Sequence, residues 1–203
     1  MGKGLTKTLR AVLTAVGLGP PVRLDGPASF VDFLRTRSAR VAQSTLYGYL
    51  KTRMGTRYPA LFEDPEFADA IRTAQEKVFV ACLSDLTLFA IIKARPAEAD
   101  PAACAMLAAW SFGCAGASTA MNAFQDRLEQ TEWTTDPAAC FSESPVALVQ
   151  AAPVIEAFKL ADAEILRNSI EFQWIDVKRE LQEGLTPDLW PALIAVVSAP
   201  AEP

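Results

Sequence analysis

The stretch DPEFADAIRTAQEKVFVACLSDLTLFAIIKARP, Asp64 to Pro96, decides the fold. Its side chains Phe67, Ile71, Ala74, Val78, Cys82, Leu86 and Phe89 recur every three or four residues. That spacing draws one apolar stripe along a helix, where a half-buried strand would alternate in twos. The ends agree with the period. Asp64 offers a capping carboxylate, and Pro65 at the first helical position gives up an N–H that has no intrahelical partner anyway. Arg95-Pro96 marks the stop.

The same start signal recurs four times further along the chain, at Asp100-Pro101, Asp136-Pro137, Ser144-Pro145 and Thr186-Pro187. Ser29, followed three residues later by Asp32, predicts a further start of capping-box type. Stops fall at Gly17-Leu18-Gly19-Pro20-Pro21 and at Gly184. The spans enclosed are 3–16, with Leu5, Leu9, Val12 and Val16 on one face; a basic helix over 29–57, with Gly48 and Gly55 as points of loosening; an alanine-rich helix over 101–129; a helix over 145–183 that kinks or restarts at Pro153; and 187–197. In the fourth span Val154, Phe158, Ala161 and Ile165 form an apolar stripe that gives way to Leu166, Ile170, Trp174, Val177 and Leu181. No segment shows strand alternation between hairpin turns. The expectation is an all-α, up-and-down bundle of four main helices plus short N- and C-terminal helices. A basic amphipathic helix and Gly/Pro linker occupy 1–27, the bundle domain 28–198 and a disordered tail 199–203.

With 203 residues, 51% hydrophobic and 21% charged, the chain has the length and composition of one globular domain. Its net charge of -5 gives no sign of a nucleic-acid partner. The total hides an asymmetry: residues 1–57 carry +8 and the remainder -13. Either the basic quarter fits onto acids of the same chain, or it turns to an anionic partner. Pro101 to Phe124 carries no charge and exceeds the roughly 20 residues that span a bilayer. Its Ala, Gly, Ser and Thr content points instead to a central bundle helix allowing close approach. The N-terminus lacks a secretory h-region, so a cytoplasmic location is expected, with association to a membrane surface left open.

The chain has no histidine. That excludes Ser-His-Asp and Cys-His triads, Glu-x-x-His di-iron pairs and His-ligated haem. Gly116-Ala117-Ser118-Thr119-Ala120 echoes G-x-S-x-G, but it ends in Ala and lies in a helical run, where no nucleophile elbow forms. Cys82, Cys104, Cys114 and Cys140 show no C-x-x-C pair and read as small buried hydrophobes in a reducing compartment. Asp85, in the apolar run Val78–Phe89, needs a partner; an Arg of the 29–57 helix is the expected one. Glu156, Asp162, Glu164, Glu171 and Asp176 scatter around their helix and read as solvated. No metal, cofactor or catalytic residue is expected.

Two binding candidates remain. Tyr47, Tyr49, Lys51, Arg53, Arg57 and Tyr58 interleave aromatic and basic side chains, as suits a headgroup boundary or an anionic partner; alternatively the aromatics pack inward while the cations stay in water. Lys3, Lys7 and Arg10 belong to the tethered 3–16 helix, which could lie on an anionic bilayer, dock in a partner's groove or pack back on the domain. Phe30-Val31-Asp32-Phe33-Leu34-Arg35-Thr36-Arg37, Val41-Ala42-Gln43, Tyr47 to Pro59 and Phe62-Glu63-Asp64-Pro65 resemble an uncharacterised all-helical alphaproteobacterial family loosely labelled "esterase". The resemblance covers roughly residues 28–90 and implies one compact domain in the cytoplasm; it brings no catalytic residue. The sequence therefore predicts a non-enzymatic interaction protein whose basic N-terminal quarter meets an acidic protein, an anionic membrane surface or a membrane complex, with a homo-oligomer also open. An apolar-ligand-binding bundle and an atypical hydrolase are the alternatives.

Overall fold

The structure, a computed structural model, describes residues 22–55, 63–133, 136–152 and 159–198. The expected helix over 3–16, Lys3, Lys7, Arg10, Arg57, Tyr58, Pro153 and the 199–203 tail lie outside these residues. Among the described residues seven α-helices form an all-α bundle: α1 Pro27–Met54, α2 Pro65–Ala94, α3 Pro101–Phe112, α4 Met121–Glu129, α5 Glu143–Ala151, α6 Lys159–Gly184 and α7 Leu189–Val197. The α2 helix is the central element, touching α1, α3 and α5; α1 and α5 both reach α6, and α7 packs on α3 and α1.

Helix α2 is built as its stripe predicts. Asp64 accepts the N–H of Glu66, and Ile71, Ala74, Val78, Cys82, Leu86 and Phe89 are buried. Asp100 caps α3 in the same way, through Ala102. Elsewhere the starts shift. Helix α1 begins at Pro27 behind Gly26, and Ser29 serves the third turn position by accepting the Gly26 N–H. Helix α5 begins at Glu143 because Ser144 is drawn into tertiary bonds. Helix α7 starts only at Leu189, since the Thr186 hydroxyl donates to the Leu24 carbonyl. Gly48 stays helical, and α1 ends where Gly55 takes φ 54°.

The alanine-rich span is not one straight helix. After Phe112 it widens into a π-turn, Gly113–Ala117, in which Gly116 adopts φ 100°. A side chain there would be strained, and the reversal folds Phe124 onto Phe112 with ring centroids 4.0 Å apart. Cys114 is exposed on this turn, unlike buried Cys82, Cys104 and Cys140. By length and composition Pro101–Glu129 is the one run among the described residues apolar enough to cross a membrane; here Cys104, Leu107, Phe112 and Phe124 are buried in the core.

The start of the described chain is clasped to the end of α6. Leu24 donates to the Gly184 carbonyl at 2.8 Å, and a Cβ at Gly184 would lie 2.8 Å from the Val22 carbonyl oxygen. Only glycine fits this approach.

Candidate interaction surface

One face of α6 is locked into the molecule. Leu166, Ile170, Trp174, Val177 and Leu181 are buried at helical spacing. Two acids reinforce them. Asp162, only 1% exposed, accepts the Tyr49 hydroxyl at 2.7 Å and pairs with Arg53. Glu180 accepts Arg37 Nε at 2.5 Å and Arg40 at 3.1 Å. Asp162 is therefore not the solvated acid its spacing predicts. It bridges α1 and α6, a partner that local sequence does not reveal. Burial pushes the Tyr49 phenol up, with Arg53 pulling the other way.

A second buried acid fixes the segment beside α6. Asp85, wholly buried, accepts the backbone N–H groups of Glu143 at 3.2 Å and Ser144 at 2.8 Å, the first turn of α5. Those amides have no intrahelical partner, and the helix dipole favours a carboxylate there. The cation is Arg127 of α4, 2.8 Å away, rather than an Arg of α1. Arg127 also donates to the Ser84 hydroxyl and the Cys140 carbonyl and pairs with Glu143. Burial raises the Asp85 carboxyl, with Arg127 and Ser144 opposing; burial likewise lifts the Cys140 thiol to about 11. Trp174 of α6 donates its indole N–H to Ser144 Oγ at 3.2 Å. This network holds Phe141 and Pro145 against α6.

The opposite face of α6 is open and carries three large apolar side chains among polar ones. Phe172 is 67% exposed, Ile175 59% and Ile165 49%, with Val146 of α5 at 48%. Ile165, Asn168, Phe172 and Ile175 follow each other at intervals of three, four and three residues, the spacing of a seam between helices. Beside them runs a groove of about 500 Å³ lined by Phe141, Pro145, Asn168, Glu171, Phe172, Trp174, Ile175 and Lys178. The Lys178 ammonium lies 3.9 Å from the Phe141 ring centroid, and Phe141 packs on Trp174 at 4.8 Å. Burial lowers the Lys178 pKa, with Glu171 acting against it. Exposed apolar side chains gathered on one groove mark a docking site more than scattered ones do.

The residues singled out from sequence do not gather here. Tyr49 and Arg53 turn inward to Asp162, Tyr47 is half-buried and Lys51 is exposed on α1. Sequence reasoning missed Phe172, Ile175 and Val146, and it placed Ile165 in the buried stripe. The signal was present as a second stripe on α6, 180° from the first. Ser118 sits exposed on a short 3-10 turn, and among the described residues no group of three or more Cys, Asp or Glu side chains could hold a metal ion. Comparison of the chain with protein-family models, curated proteins and solved structures gives no match.

Proposed function

We propose that the protein is a non-enzymatic interaction protein that meets its partner through the α5–α6 face. The observation carrying this reading is the seam Ile165, Asn168, Phe172 and Ile175, open to solvent on a helix whose other side is fully buried. The buried ionisable side chains Asp85, Arg127 and Asp162 are engaged in joining helices, which favours a structural use for them over a chemical one. The basic quarter is less suited to the role than its charge suggests: Arg37, Arg40 and Arg53 face acids of α6, which supports the internal fit.

The test is affinity capture from native extracts with the wild type and with Phe172→Glu/Ile175→Glu. A partner recovered by the first and lost by the second supports the reading. Binding to anionic vesicles that weakens with salt and with Lys51→Gln, and survives the α6 changes, would return the role to the basic quarter.

A second reading, an apolar ligand, is favoured by a pocket of about 430 Å³ between α1, α3 and α7, lined by Pro27, Ala28, Val31, Trp110 and Val196. Saturable quenching of Trp110 fluorescence by a medium-chain fatty acid, lost in Val31→Glu, would support it.

A further inference from the structure

We infer that the occupant of the α5–α6 face is a second copy of this chain, its α6 packed antiparallel on the first. The inference rests on the reading that this face is the working surface, and it names the partner. Three features carry it. The seam is short and nearly symmetric about its middle. Running a second α6 in the opposite direction sets Ile165 against the second copy's Ile175 and Asn168 against the second copy's Phe172, twice over, as a two-fold axis requires.

The charges match in that direction alone. Along the groove side of the seam, in chain order, stand Glu164, Arg167, Glu171 and Lys178, alternating in sign. Antiparallel packing places Glu164 near the second copy's Lys178 and Arg167 near the second copy's Glu171. Parallel two-fold packing would set this side against the opposite flank of the second helix, so the row would not meet its own copy. A rim that alternates also offers no net attraction to an anionic bilayer and no preference for a helix of one charge. Arg179, in line with the seam one heptad after Phe172, is neutralised by Asp176 at 2.7 Å.

The shape is self-complementary as well. Phe172 projects beside a groove floored by Phe141, Pro145 and Trp174. The two-fold axis brings each Phe172 to the mouth of the other copy's groove, a knob and its hole on one surface.

Sedimentation velocity on the full chain, over about 1–100 µM, reads the association directly, that being the range of a modest interface. The expected result is a concentration-dependent monomer–dimer equilibrium. Phe172→Glu weakens it at least about tenfold, as loss of a central aromatic anchor does, with the far-UV spectrum unchanged. Arg167→Glu alone and Glu171→Arg alone each weaken it, and the double exchange restores it, because the pair is rebuilt with its signs reversed. A wild-type chain that stays monomeric overturns the inference; if Phe172-dependent capture of a different protein persists, the interaction reading stands without it. A dimer indifferent to Phe172→Glu, or charge changes that do not rescue each other, overturns it equally.

Discussion

The two faces of α6 are made of similar residues and do opposite things. Inward, Leu166, Ile170 and Trp174 are buried to within 1% of completeness, and Asp162 and Glu180 tie the helix to α1. Outward, Ile165, Phe172 and Ile175 keep 49%, 67% and 59% of their surface in water. Hydrophobicity therefore does not by itself distinguish core from interface on this helix. What separates the faces is the presence of a neighbour, and substitutions should read that difference as free energy.

Trp174→Ala should have the largest effect, a loss of about 3–5 kcal/mol, since it opens a cavity and leaves Ser144 without its indole donor. Urea unfolding followed by circular dichroism measures it, and a loss below 1 kcal/mol would erase the contrast between the faces. Asp85→Ala should cost about 3 kcal/mol by the same assay, because Arg127 is left buried beside unpaired α5 amides. Tyr49→Phe, which removes only the hydroxyl bonded to Asp162, should cost about 1 kcal/mol. Phe172→Ser should change monomer stability by no more than about 0.5 kcal/mol, as an exposed position does. A larger loss in dilute monomer would show that the outer face is covered from within.

The parts of this structure that local chemistry decides could be read in advance. Asp64 and Asp100 reach amides two residues away, so their caps are written in the sequence around them. Ser144 and Thr186 carry the same Pro-following signal, but long-range bonds to Trp174 and Leu24 claim their hydroxyls and the helices begin elsewhere. The all-helical class followed from the stripes. The break at Gly116 did not, because nothing in the apolar run around it signals a positive φ; it accompanies the stacking of Phe124 on Phe112. For the candidate surface, Ile165 was grouped with the buried stripe. A second stripe shows only when all residues from 165 to 175 are placed around the helix and the exposed side is known.

The clasp between Leu24 and Gly184 also bears on how the molecule assembles in time. The bond from Thr186 to Leu24 spans 162 residues, far more than the contacts within any helix or between α1 and α2. Closing so long a loop has an entropic cost that is met only after the intervening helices have shortened the distance. The clasp is thus expected to close late in folding, and hydrogen exchange at the Leu24 amide would report the moment at which it forms.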